Sequence, residues 1–182
     1  MKQLLIGGIG NVLLGDDGVG SYVARMLAAT YEFCDGVEVA DLGTPGLDLV
    51  AHISGYRYLI LVDSVENEAP AGAITEYRKD EIMHIQPQMR MDPHSPALLE
   101  TLFVSELAGE GAEEVLLIGI TGRDYDSGPV MTPEVRSAVP AVISDILREV
   151  TRLGLSWRKK DFADDPSIWW MNAPQLEELV RS

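Results

Sequence analysis

The hydrophobic pattern of the chain alternates between short apolar runs and longer stretches with helical spacing. Five segments have the length and composition of β-strands, namely 4–9, 37–41, 58–62, 73–77 and 115–120. The run 58–62 is apolar throughout, which predicts a strand near the centre of a sheet. Because strands alternate with helical segments, we predict a three-layer α/β sandwich in which a largely parallel, twisted sheet is flanked by helices.

Four other segments, outside these runs, carry apolar residues at helical spacing. The first two follow the strands at 4–9 and 37–41. The third, 95–107, is predicted to bury one face made of Leu98, Leu99, Leu102, Phe103 and Leu107. The fourth should begin with Thr132 as its N-cap and Pro133 at its first position, be kinked at Pro140 and end at Gly154.

The composition changes after this last helix. We therefore predict one α/β domain over residues 1–155 and an appended tail over 156–182, with a short helical pattern at 174–180. All three tryptophans, Trp157, Trp169 and Trp170, lie in the tail and should be covered. The cover is either the surface of the domain itself or a partner, and the sequence leaves both open.

Charge and cysteine content exclude several classes of function. The net charge of −15 argues against binding to nucleic acid and to anionic membrane surfaces. Cys34 is the only cysteine, so neither an internal disulfide nor a cysteine-rich zinc site can form. No apolar run approaches the ~18 residues of a membrane span, and the amino terminus lacks a long apolar signal region. We expect a cytoplasmic protein.

Three polar residues stand where predicted elements meet. Asp17 lies near the end of a glycine-rich segment, Asp63 directly follows the run 58–62, and His94 precedes the helix at 95–107. Functional groups gather at the carboxyl ends of strands in open α/β sheets, so these residues can converge. Two carboxylates and one imidazole suit a divalent metal such as nickel or zinc with open coordination positions.

The glycine-rich segment 7–20 also allows other interpretations. It begins like a dinucleotide fingerprint, but Leu13 occupies the position of the third glycine, and no phosphate-loop lysine follows. Asp16 and Asp17 beside a helix start are unfavourable for phosphate. They could instead cap the helix, and this segment alone does not decide between capping and metal binding. For Asp16 we expect only local hydrogen bonds at the helix start and tolerance to substitution.

Taken together, the motifs resemble those of the hydrogenase maturation proteases, which process the large subunit of nickel–iron hydrogenases. Order and spacing agree over residues 2–155. The matching segments are 8–20 (GIGNVLLGDDGVG), 41–46 (DLGTPG), 61–64 (LVDS), 92–95 (DPHS), 119–120 (GI) and 131–135 (MTPEV).

By this resemblance, Asp17, Asp63 and His94 are the metal-binding and catalytic residues. The partner would be a nickel–iron hydrogenase large-subunit precursor, which supplies the nickel and loses a C-terminal extension. The family often has Glu where this chain has Asp17, which shortens the side chain by one methylene and leaves its ligand chemistry intact. A nonenzymatic chaperone that binds the nickel-loaded precursor through the same residues is the alternative.

A second part of the cleft is predicted after the strand at 37–41. Asp41, Gly43 and Thr44 should contact the substrate, because the turn that follows Asp41 lies at the same sheet edge as the other strand ends. A tight turn that requires glycine for structural reasons explains the same residues equally well.

Overall fold

A computed structural model of the protein describes residues 2–84, 95–126 and 128–170. The elements, in chain order, are β1 (Leu4–Ile9), α1 (Val19–Thr30), β2 (Tyr31–Phe33), β3 (Val37–Gly43), α2 (Leu49–Ile53), β4 (Tyr58–Val65), β5 (Ile74–Arg78), α3 (Lys79–His84), α4 (Ser95–Leu107), β6 (Glu114–Thr121), α5 (Pro133–Arg152) and β7 (Trp157–Lys159). Short 3-10 helices at Gly15–Gly18 and Gly46–Asp48 precede α1 and α2.

Five of the strands form one twisted sheet in the order β3-β1-β4-β6-β5. The first four strands are parallel, and β5 pairs antiparallel with β6 at one edge. β4 is the central strand and is buried along nearly its whole length, as its apolar run predicts. The predicted largely parallel α/β sandwich is confirmed.

Alternation along the buried strands separates two apolar layers. Leu4 and Ile6 face the layer that contains α1 and α5, whereas Leu5 faces the layer that contains α2, α3 and α4. Because the carboxyl ends of the four parallel strands meet at one edge of the sheet, the loops that follow β1, β3, β4 and β6 lie together there. No helix within the described ranges is long and apolar enough to cross a membrane.

The predicted apolar face of α4 is partly wrong. Leu98 and Leu102 are buried as expected, but Phe103 is 53% exposed and Leu107 is 75% exposed. At ~100° per residue, Leu107 lies about half a turn away from Leu98, so one face cannot hold both. The buried face instead includes the hydroxyl residues Thr101 and Ser105.

The long helix α5 begins and ends where the sequence predicts. Thr132 is its N-cap residue, Pro133 its first residue, and Gly154 adopts a positive φ of 76° just beyond its end. The helix is attached to β5 by a charge cluster. The buried Glu149 carboxylate accepts hydrogen bonds from Arg78 of β5 and, within α5, from Arg152.

The first part of the tail packs against the domain. β7 pairs with β2, and two further backbone hydrogen bonds join Lys160 and Asp164 to the end of α1. Trp170 is buried, and the centre of its ring lies 5.0 Å from the guanidinium carbon of Arg25. Trp169, in contrast, is 60% exposed. Trp157 is also 38% exposed, so the prediction that all three tryptophans are covered holds for Trp170 and is wrong for Trp157 and Trp169. The predicted helix at 174–180 lies outside the described residues.

Candidate functional site

The glycine-rich segment after β1 packs the start of α1 closely against the sheet. A Cβ atom on Gly20 would lie 2.2 Å from the carbonyl oxygen of Ile9 and 2.3 Å from that of Val62. A Cβ atom on Gly8 would lie 2.0 Å from the Gly20 oxygen. Gly10 has a φ of 134°, a conformation that favours glycine. Close contact between helix and strands therefore explains these glycines without a nucleotide.

Asp17 lies at the centre of this packing. Its carboxylate is 2% exposed and accepts a hydrogen bond from the Asn11 amide at 2.7 Å and another from the Ser64 hydroxyl at 3.2 Å. The N-cap of α1 is Gly18, and no side chain provides a capping hydrogen bond there. Asp17 is therefore not the N-cap residue of α1, and its carboxylate contacts the loop after β1 and strand β4.

Asp63 lies within β4, two residues before the end of that strand. Its carboxylate is 6% exposed and accepts a hydrogen bond from the Ser64 amide at 2.8 Å. Ser64 is completely buried and donates to both acidic residues, through its amide to Asp63 and through its hydroxyl to Asp17. Asp17 and Asp63 are thus linked through one serine, Asp17 by its hydroxyl and Asp63 by its amide.

His94, the third predicted ligand, lies outside the described residues, directly before the first residue of α4. Within the described ranges, no group of three or more His, Cys, Asp or Glu side chains is arranged to hold a metal ion. α4 packs on α2 in the layer beneath β1 and β4. The ligand set of two carboxylates and one imidazole remains a prediction.

Asp16 is not the local helix-start residue that we expected. Its carboxylate is fully buried and accepts hydrogen bonds from the loop after β6. The donors are the amides of Arg123, Asp124 and Thr132, at 2.8, 3.1 and 2.7 Å, and the Thr132 hydroxyl at 2.9 Å. These partners are more than 100 residues away in sequence, so local pattern could not reveal them.

β3 continues to Gly43, two residues beyond the strand end predicted at Asp41. Its end borders the loop after β1, because the Gly10 amide donates to the carbonyl oxygen of Gly43 at 2.8 Å. Gly43 has a φ of 58°, Thr44 is exposed, and Asp41 accepts a hydrogen bond from the Gly43 amide. Asp41 also pairs with Arg25 at 2.7 Å. Asp41 and Gly43 thus both have structural reasons for their positions, and substrate contact by Asp41, Gly43 and Thr44 stays a prediction.

Two residues of this region were missed by the sequence patterns. Ser64 joins the two acidic residues, and the signal for it was a hydroxyl residue directly after Asp63 at the end of an apolar strand. Arg25 joins Asp41 to the tail, since its guanidinium also donates to the Ser167 carbonyl at 3.1 Å. Arg25 stands in a helix of ordinary composition, so no pattern marks it.

Comparison with known proteins gives a consistent result. A family profile described as HycI, hydrogenase maturation protease, matches residues 21–149. The hydrogenase expression/formation protein HupD of Rhizobium leguminosarum bv. viciae is 30% identical over 155 residues, which span 85% of this chain and 77% of HupD. The hydrogenase 2 maturation protease of Escherichia coli K12 is 24% identical over 153 residues, which span 84% of this chain and 93% of that protein.

Solved structures show the same fold. The hydrogenase maturating endopeptidase HybD from E. coli superimposes with a TM-score of 0.80 at 23% identity, covering 87% of this chain and 98% of HybD. The [NiFe] hydrogenase maturation protease HybD from Thermococcus kodakarensis gives a TM-score of 0.66 at 23% identity, with 81% and 98% covered. From the matching profile and the relatives, this chain belongs to the hydrogenase maturation protease family.

Proposed function

We propose that this protein is an endopeptidase that removes the C-terminal extension of a nickel-loaded nickel–iron hydrogenase large-subunit precursor. Membership of the protease family supports the reaction class. The observation that carries the finer proposal is the pair of buried carboxylates, Asp17 and Asp63, which share Ser64 as a hydrogen-bond donor at the carboxyl end of the sheet.

A buried pair of carboxylates is a suitable recognition site for a cation. Two negative charges in a poorly hydrated position are costly unless hydrogen bonds or a positive ion compensate them. Hydrogen bonds from Asn11 and Ser64 provide part of this compensation. Nickel carried by the precursor would provide more, and His94 would add the imidazole ligand that nickel accepts readily.

In this proposal the metal belongs to the substrate. Asp17, Asp63 and His94 bind the nickel of the loaded precursor and so hold its C-terminal segment in a fixed orientation, which lowers the entropic part of the cleavage barrier. A carboxylate of the pair would also take a proton from the attacking water and pass it to the amine of the released extension as the peptide bond breaks. A precursor without nickel would lack the group that these side chains bind, so the extension would be cleaved only after nickel had been inserted.

The test is incubation of the protein with nickel-loaded and nickel-free precursor, followed by mass measurement of the large subunit. The expected result is a mass loss at the C-terminus with loaded precursor and none with empty precursor. Binding of loaded precursor without any mass loss would support the chaperone alternative. Equal cleavage of both precursors would contradict nickel recognition while leaving the endopeptidase activity intact.

A further inference from the structure

The aspartate next to the proposed ligand Asp17 is the most thoroughly hydrogen-bonded carboxylate near the site, yet the proposed mechanism does not use it. Asp16 is fully buried, and its oxygens accept from three backbone amides and one hydroxyl, all between residues 123 and 132. The attachment also involves the backbone, because the Asp16 amide donates to Asp124 at 2.8 Å and the Gly15 amide donates to Gly128 at 2.5 Å.

The loop that Asp16 holds extends across the end of the central strand. Directly after β6, the Gly122 amide donates to the carbonyl oxygen of Val65, the last residue of β4, at 3.2 Å. The Tyr125 hydroxyl donates to the same oxygen at 3.2 Å. The described residues of this loop, 122–126 and 128–132, are therefore fixed at two points, the end of β4 beside Asp63 and the turn that carries Asp16 and Asp17.

Asp16 and Asp17 are adjacent in the chain, but their carboxylates accept hydrogen bonds from different parts of the protein. Asp16 binds the loop 122–132, whereas Asp17 binds Asn11 and Ser64. Because the two residues share one short 3-10 helix, any displacement of Asp16 shifts the backbone from which Asp17 projects. A catalytic arrangement tolerates little displacement, since an error of about 1 Å can cost roughly 10²-fold in rate.

We propose that Asp16 is a positioning residue, which fixes the turn bearing Asp17 against the loop 122–132 and makes that loop a rigid wall of the site. This inference rests on the proposed function and adds the loop after β6 to its machinery. The carboxylate is required because it only accepts hydrogen bonds, and all four contacts come from donors.

Asp16→Asn is the direct test, because the amide keeps the shape but directs two N–H donors at groups that also donate. The expected result is a folded variant whose kcat for nickel-loaded precursor falls roughly 10²-fold. Its KM for the precursor should change by less than about threefold, because docking of a protein substrate is spread over a wider surface. The matched control is Asp35→Asn, an exposed aspartate in the turn before β3, which lies at the amino end of that strand and should leave both constants unchanged.

Thr132→Val serves as the second variant in case Asp16→Asn does not fold. It removes one of the four donors to Asp16 and keeps the Thr132 amide. We expect a fall in kcat of about fivefold at unchanged KM, in line with the loss of a single hydrogen bond of ~1 kcal/mol. A wild-type kcat in folded Asp16→Asn, or in Thr132→Val where only the latter folds, overturns the positioning role. Failure of the wild-type protein to cleave would instead count against the proposed function.

Discussion

At the scale of single residues, the site is built from carboxylates that the fold has buried and then partnered. Asp17 and Asp63 were recognisable from sequence because each is an acidic residue beside an apolar or glycine-rich segment at a strand end. Their link through Ser64 could not be recognised from the sequence, since it depends on how closely the loop after β1 approaches β4. For the same reason the role of Asp16 was mispredicted, because its partners become neighbours only in the folded chain.

Gly20 should tolerate no side chain. In Gly20→Ala the new methyl group would meet two backbone oxygens at 2.2 and 2.3 Å, which cannot move without displacing β1 or β4. We expect a loss of about 3 kcal/mol or more in the free energy of unfolding, measured by denaturant titration.

The matched control is Gly111→Ala, whose methyl group would first meet the carboxylate end of the Glu106 side chain. That side chain can rotate away at the cost of its partly exposed ion pair with Lys79, so a change within about 1 kcal/mol is expected. Similar losses in the two variants would show that the close packing of α1 on the sheet is not the constraint described here.

We predict that replacing Asp41 lowers cleavage of the precursor more than it lowers the free energy of unfolding. Its pair with Arg25 is partly exposed, so Asp41→Ala should cost less than about 1 kcal/mol of unfolding free energy. If the carboxylate contacts the precursor, kcat/KM should fall roughly tenfold, as for a lost hydrogen bond to a charged group.

Arg25→Ala provides the comparison for this prediction, because it breaks the same ion pair but leaves the Asp41 carboxylate and its bond to Gly43. The activity of that variant should stay within about threefold of wild type. Equal losses of kcat/KM in both variants would contradict a direct contact between Asp41 and the precursor, because loss of Arg25, with its contacts to Asp41, Ser167 and Trp170, would then be sufficient.

At the scale of elements, the hydrophobic pattern predicts most of the helices and most of the strands of the sheet. The elements that it predicts wrongly or does not detect have physical causes. α4 is apolar on nearly all sides, so its buried face could not be chosen from spacing alone. β2 and β7 have three residues each, too few for a periodic signal. The antiparallel direction of β5 depends on its pairing with β6, which no local pattern specifies.

The charge cluster between β5 and α5 should make stability depend on pH at the acid end. Burial raises the pKa of Glu149, but hydrogen bonds and charge from Arg78 and Arg152 outweigh it and lower the pKa from 4.5 to about 2. Since the folded-state pKa is depressed, the contribution of Glu149 is complete above about pH 5 and is lost as the pH falls from there towards 2.

Glu149→Gln tests this contribution. The variant should be less stable than wild type by about 2 kcal/mol at pH 7, and the difference should shrink steadily below pH 5. Unfolding free energies at several pH values give the comparison. A difference that is constant from pH 7 to pH 3 would show that the hydrogen-bonded shape, and not the charge of Glu149, supplies the stability.

At the scale of the whole molecule, the tail should contribute to stability over its first part. Truncation after Gly154 removes β7 and the buried Trp170, whereas truncation after Trp170 keeps both. We expect a lowered melting temperature only in the shorter protein, with an unchanged oligomeric state by light scattering. A shorter fragment that melts like wild type but no longer processes precursor would instead identify the tail as a docking element.

The strand order β3-β1-β4-β6-β5 brings the loops after four parallel strands to one edge of the sheet. Parallel α/β architecture could be predicted from the alternation of elements, and from it the convergence of strand-end residues. The position of each strand in the sheet could not be predicted from the sequence, because strand order depends on which crossover connections pack best. This arrangement brings Asp17, in the loop after β1, and Asp63, near the end of β4, to the same edge of the sheet. The central claim is that they and His94 form one processing site.

The most direct test of that claim is single-turnover cleavage of nickel-loaded precursor by Asp63→Asn and His94→Ala. Asparagine keeps the shape of Asp63 and loses only its charge, and alanine removes the imidazole. We predict folded proteins in which cleavage is abolished, because each substitution removes one group of the three-residue site. Cleavage at the wild-type rate by both variants would contradict the metal-site mechanism.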